Sequence, residues 1–239
     1  MPFLINKQKQ HIAYKKIKGK KPGIIFVHGL QSDMNGEKAL QVENFARSRG
    51  HNFIRFDCRG HGWSNVQSMH INLPFANDQE FEKLHAAVRI LLPIIPGLAA
   101  SSPVLDGQFT GYKDSRMHYY KTNQKEIPHM TGKVIPEQVF SKKEYHEKIF
   151  DPINKAIKKY DTEQILDHHF LNSRGAISRF DRNAIEIRVI DTQETPSADI
   201  AIAAFIVEAL RLLVSEELVS LEDQKAWHED DLFAIFNDV

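Results

Sequence analysis

Glu186 and Arg188 stand two residues apart in the segment Asn183–Ile190 (NAIEIRVI) of this 239-residue chain. Ile185, Ile187 and Val189 alternate with them, which is the period of a half-buried strand. Side chains two apart on a strand project from one face. A carboxylate there is a hard ligand for a divalent cation, and a guanidinium beside it offers a fixed fork of donors to phosphoryl oxygens. A cross-strand ion pair on a solvated face is the plainer alternative for the same two residues. His70 lies in a second alternating segment, Ser68–Leu73 (SMHINL), on the side of Ser68 and Asn72. A strand histidine is either a hydrogen-bonded member of the sheet or a ligand. Asn172, Arg174 and Arg182 flank the Glu-x-Arg strand. They could meet phosphate or a substrate carboxylate, both of which arginine recognises bidentately. For Arg182 a solvated loop charge is an equal alternative.

Such residues need a sheet to hold them and helices to cover it. Asp78 reads as an N-cap, opening a helix with Leu84, Ala87, Val88, Leu91 and Leu92 on its apolar side, ended by Pro93 and Pro96. Further helices are predicted around Asp114–Lys125, over Lys142–Tyr160 with a break near Pro152, and from Pro196 to about Glu217. The last is apolar almost all round, so it is predicted to be buried. Ser68–Leu73 and Asn183–Ile190 are expected as antiparallel neighbours with His70, Glu186 and Arg188 on one face. The long helix is expected over Ile185, Ile187 and Val189. The start of the chain has another rhythm. Gly23–Val27 is a continuous apolar run, Asn35–Arg49 has helical spacing closed by Gly50, and Asn52–Asp57 is a further strand. A crossover of that length predicts a β–α–β unit with parallel strands.

Hydrophobic residues at 42% and charged residues at 26% exclude global disorder. Lys+Arg and Asp+Glu are both 31, so the chain as a whole offers no electrostatic case for nucleic acid. Residues 1–66 nonetheless hold 12 Lys/Arg and 4 Asp/Glu, leaving 19 and 27 for residues 67–239. Two portions of different origin are therefore expected, 1–66 and 67–239, with an abrupt seam near Asn65–Ser68. Lys15, Lys16, Lys18, Lys20 and Lys21 could form a phosphate-binding patch, but without aromatic interleaving they read as a solvated strand edge. The single cysteine, Cys58, excludes an internal disulfide and a Cys-rich zinc site. No apolar run reaches the roughly 18 residues of a membrane span. The first residues lack a signal-peptide core. The expectation is a cytoplasmic protein with small-molecule partners and neither nucleic acid nor membrane. Its oligomeric state is left open.

Two resemblances divide the chain in the same way. His28-Gly29 after the strand Ile24–Val27, and Asp57-Cys58-Arg59-Gly60-His61-Gly62-Trp63-Ser64 after the next, resemble the α/β-hydrolase superfamily. The resemblance implies an oxyanion turn at His28, Gly29 and Leu30, with the Leu30 N–H as donor. No Gly-x-Ser-x-Gly nucleophile elbow occurs in the sequence. A serine esterase or thioesterase is thus an alternative without its nucleophile, and a non-catalytic fusion or structural protein is another.

From about Ser68 to Glu217 the phrases MHINLPFAND, FEKLHAAVRILLP, ASSPVLDGQFTGYKDSR and LNSRGAISRFDRNAIEIRVIDTQETP resemble carboxylate–amine ligases of the glutamate–cysteine ligase type. The resemblance implies a partial antiparallel sheet like that of glutamine synthetase, covered by helices. The fold class is therefore mixed α/β and α+β, with a β–α–β hydrolase-like fragment leading. It also implies ATP and Mg²⁺, which serve to activate the γ-carboxylate of glutamate for attack by an amine. By the same resemblance Glu186 and His70 match metal-binding residues, and Arg188 the arginine of the transition state. Those enzymes begin with a Glu-x-Glu strand, and none occurs before Ser68. Each portion is therefore expected to be an incomplete enzyme, from a joined or truncated reading frame or an engineered fusion.

Overall fold

The computed structural model describes residues 3–5, 11–27, 35, 37–56, 68–105, 108–162, 166 and 168–238. They build a mixed α/β protein with several small sheets and helices. Two compact units result, Met1–Ser68 with Ser102–Arg116, and Met69–Ser101 with Met117–Val239. The sequence reading left Ser102–Arg116 within the second portion; its contacts group it with the first unit.

The first unit carries β1 (Phe3–Ile5), β2 (His11–Ile17), β3 (Lys20–Val27), α1 (Glu37–Arg49) and β4 (His51–Phe56). Its sheet has the order β1-β2-β4-β3, with β3 and β4 parallel in the register Ile24↔Phe53 to Val27↔Phe56. The β–α–β crossover is thus present. Gly50, at φ +66°, ends α1 as the spacing predicts. Gly19 is required where β2 turns into β3, because a Cβ there would lie 2.5 Å from the Gly50 carbonyl oxygen. Inside the unit Glu43 of α1 is buried and takes Lys15 at 3.1 Å, Arg47 at 2.8 Å and Arg55 at 2.7 Å. Burial pushes its carboxyl up, but these cations outweigh that and hold it below the usual range. Lys15 is therefore an ion-pair partner, while Lys16, Lys18, Lys20 and Lys21 are exposed as expected of a solvated edge.

The second unit begins with β5 (Ser68–Pro74), α2 (Asp78–Leu91) and α3 (Ile95–Ala99). The N-cap of α2 is Asn77, one residue before the one predicted: its side chain accepts from the Glu80 N–H, and Glu80 reaches back to the Ala76 N–H. A short hairpin of the first unit follows, β6 (Val104–Leu105) and β7 (Gln108–Phe109), and then α4 (Ser115–Tyr120), shorter than the predicted helix. The predicted helix over Lys142–Tyr160 is α5 (Lys142–Tyr145), a π-helical turn (His146–Phe150) and α6 (Asp151–Ile157). Pro152 accounts for the widening, since it cannot donate to the carbonyl of residue 148 and its ring crowds that oxygen. After α7 (His168–Leu171) come β8 (Ala176–Arg179), β9 (Ala184–Asp191), α8 (Pro196–Val214), α9 (Leu221–Ala226) and α10 (Glu229–Asp238).

The sheet of this unit has the order β5-β9-β8. β8 and β9 form an antiparallel hairpin, Ala176↔Ile187 to Arg179↔Ala184, turned by Asn183 at φ +48°. β5 also runs antiparallel to β9: residue 70 meets residue 186, while the Phe75 N–H donates to the Asn183 carbonyl. Ile185, Ile187 and Val189 join one core cluster with residues of α2, α3 and α8. The helix α8 departs from expectation. Ile206, Leu210 and Leu213 are buried, but Ile200, Phe205 and Val207 are exposed, because only one side of the cylinder meets α2 and α3. Among the described residues no helix is long and apolar enough to cross a membrane.

Candidate functional site

Glu186 is nearly enclosed, with 9% of its side chain exposed. An ionised carboxylate survives such burial only if partners replace water. Three surround it. His70 Nδ1 lies 2.7 Å from Oε1, Arg188 donates through Nε to the same oxygen at 2.9 Å, and Arg179 Nη1 stands 3.6 Å from Oε2. Burial pushes the Glu186 carboxyl up, but the hydrogen bond with His70 and the charge and hydrogen bond of Arg188 overcome it and hold it down, at about 2. His70, Glu186 and Arg188 thus share one face, brought together by β5 and β9.

Arg179 is the member that the sequence reading missed. It faces Glu186 because β8 pairs with β9 in the register Ile177↔Glu186, which places residues 177, 179, 184, 186 and 188 on one side. Asp181 takes its other edge through Nε at 3.2 Å and Nη2 at 3.3 Å, and its guanidinium lies over the Phe170 ring. That hydrogen bond holds the Asp181 carboxyl below the usual range. Counting the polar residues on one side of a hairpin turned at Asp181–Asn183 would have found it.

Asn172 and Arg174 lie elsewhere, in a buried network of their own. Arg174 forms a bidentate pair with Glu137 at 2.7 and 2.6 Å and donates through Nη1 to the His129 carbonyl and to Asn172. Asn172 donates to the Tyr145 hydroxyl, which also accepts the Ser178 N–H. Both side chains are buried and committed to partners, and the network anchors the start of β8. Arg182 is exposed on the hairpin turn, paired with Asp181 at 3.4 Å. His28, Gly29 and Leu30, expected from the hydrolase resemblance as an oxyanion turn, and Cys58 to Ser64 lie outside the described residues.

Among the described residues no three His, Cys, Asp or Glu side chains gather as a metal centre held by protein alone would need. The Glu186 carboxylate, oriented by His70, suits magnesium that brings phosphate oxygens and water as its other ligands.

Comparison with known proteins decides the lineage of this cluster. The sequence pattern of glutamate-cysteine ligase family 2 (GCS2) matches residues 58–238, well over half of the chain. The chain belongs to glutamate-cysteine ligase family 2. The match extends beyond the predicted Ser68–Glu217 at both ends. An uncharacterized protein of Archaeoglobus fulgidus is 40% identical over 161 residues, 67% of this GCS2 chain and 43% of that protein. Mitochondrial palmitoyl-protein thioesterases are also similar over a shorter stretch. The one from Rattus norvegicus is 51% identical over 65 residues, 27% of the chain and 22% of the enzyme. The human one is 52% identical over 68 residues, 28% and 22%. The solved alpha/beta hydrolase domain-containing protein 10 from mouse is 54% identical over 26% of the chain and 24% of its own, with a TM-score of 0.25. The chain thus spans under half the length of the archaeal relative and about a fifth of the thioesterases.

Proposed function

We propose that the second unit carries part of an ATP-dependent carboxylate–amine ligase site of the glutamate–cysteine ligase type. The observation that supports this most is the meeting of His70, Glu186 and Arg188, from two strands far apart in sequence, in a chain of that family. In this reading ATP transfers its γ-phosphoryl group to the side-chain carboxylate of glutamate. The amine of cysteine then attacks the acyl carbon and phosphate leaves. Arg188 steadies the phosphoryl oxygens by charge-assisted hydrogen bonds where negative charge builds up. Glu186 and His70 would hold magnesium arriving with the nucleotide, whose charge offsets that of the phosphates. Glu186, ionised throughout the neutral range, keeps Arg188 and His70 oriented. The Glu-x-Glu strand of the resembled enzymes has no counterpart before Ser68, so this chain supplies part of the site.

The test is phosphate release from purified protein given glutamate, cysteine, ATP and Mg²⁺. Whatever turnover this part of the site sustains should need all of these and fall about 100-fold or more in Arg188→Ala, the range for removing one transition-state donor. Unaltered turnover in that variant would remove the role of Arg188. The thioesterase similarity favours a second reading, a serine hydrolase. Without a nucleophile elbow in the sequence, a fluorophosphonate probe should leave the protein unlabelled. Labelling would favour the hydrolase reading.

A further inference from the structure

Two guanidinium groups converge on Glu186 from neighbouring strands. Arg188 holds Oε1 at 2.9 Å and Arg179 stands 3.6 Å from Oε2. Both are nearly buried, with 11% and 5% of their side chains exposed. The arginine fork fits carboxylate and phosphate oxygens alike. A slot that holds a carboxylate between two arginines therefore has the chemistry to hold another oxyanion. We propose that Arg179 and Arg188 form an oxyanion site which the carboxylate of Glu186 fills from within, and that a phosphate-bearing ligand binds there by displacing it.

The hydrogen bonds make such an exchange feasible. Oε1 of Glu186 is shared by His70 and Arg188, so Glu186 keeps His70 when a ligand takes Arg188. Arg179 remains fixed meanwhile by Asp181 on its other edge, and its Nη1 stays directed at the slot. After the exchange Glu186 still has His70 as a hydrogen-bond partner and the two guanidinium groups have the incoming oxyanion, so no buried polar group is stranded. The phosphoryl class of the ligand rests on the ligase reading; the internal stand-in rests on the geometry alone.

Inorganic pyrophosphate, titrated calorimetrically into the full chain in EDTA at fixed ionic strength, is the probe. Glu186→Gln should bind it at least tenfold more tightly than the parent. The gain should vanish when Arg188→Gln or Arg179→Gln is added. Asp181→Asn removes the other negative charge beside Arg179 while its amide oxygen can still accept from Nε and hold the guanidinium in place, so it should leave the parent affinity unchanged. Equal affinity in Glu186→Gln and the parent, or an equal gain in Asp181→Asn, would overturn the proposal. If Glu186→Gln does not fold, Glu186→Asp keeps the charge and shortens its reach. It should tighten binding severalfold, and no change there is equally fatal. Phosphate release lost in Arg188→Ala without any gain in Glu186→Gln would spare the ligase reading and remove the stand-in. Tight pyrophosphate binding by Glu186→Gln in a protein without turnover would do the reverse.

Discussion

His85 is fully enclosed on α2, with the Phe81, Phe140 and Tyr145 rings around it and Arg89 one turn away. Burial and the charge of Arg89 push it down from 6.5 to about 3, so it is neutral in the folded protein well below neutral pH. The unfolded chain takes up that proton near 6.5 and the folded chain does not. Stability should therefore fall as pH drops from about 6.5 towards 3, with a slope approaching about 1.4 kcal/mol per pH unit from this group. Urea denaturation across that range should show the slope reduced in His85→Phe. Arginine substitutions separate by burial in the same way. Arg174→Ala leaves Glu137 without its bidentate partner and should cost about 3–5 kcal/mol. Arg182→Ala, on the exposed turn, should change stability by less than about 0.5 kcal/mol. Thermal or urea denaturation of the two variants checks both.

At the level of elements, Gly175 sets where β8 can lie. A Cβ there would fall 2.7 Å from Val189 Cγ1 and 2.9 Å from Val134 Cγ1, both stiff branched side chains. The Gly175 carbonyl accepts the Arg188 N–H at 2.8 Å. Gly175→Ala should therefore cost roughly 1–3 kcal/mol by overpacking, read from the urea midpoint. It should also weaken any property that depends on Arg188, because β8 and β9 must part. Much of this was legible beforehand. The alternation of Ile185, Ile187 and Val189 with Glu186 and Arg188 marks β9, and the lengths around α1 mark a parallel crossover. What stayed hidden depends on pairing or on partners. Arg179 reaches the cluster only through the register of the hairpin. Arg174 meets Glu137, 37 residues upstream, which no local pattern announces. The composition of α8 says that it is apolar, but not which of its faces finds a neighbour.

For the molecule as a whole, membership of one family and a shorter similarity to thioesterases meet in one chain, and ligand linkage tests the first. A ligand that binds only the folded state stabilises it by about 2.7 kcal/mol at a hundred times its dissociation constant. ATP with magnesium should accordingly raise the melting temperature of the parent protein, and less so that of Arg188→Ala. A melting curve indifferent to nucleotide in both would argue that the GCS2 portion does not bind it unaided.

The contact between His70 and Glu186 joins residues 116 apart in the chain. Synthesis at roughly 5–20 residues per second leaves β5 waiting roughly 6 to 23 seconds for β9 to be made. Throughout that interval Met69, Ile71 and Leu73 have a strand's pattern and no strand to pair with, whereas β8 and β9 close locally as soon as they leave the ribosome. The polar cluster cannot form before β9 is made, and the ties of α2 to the later helices, Lys83–Glu216 and Lys225–Glu82, come later still. Until then the apolar side of β5 has only α2, made directly after it, as a neighbour within its own unit.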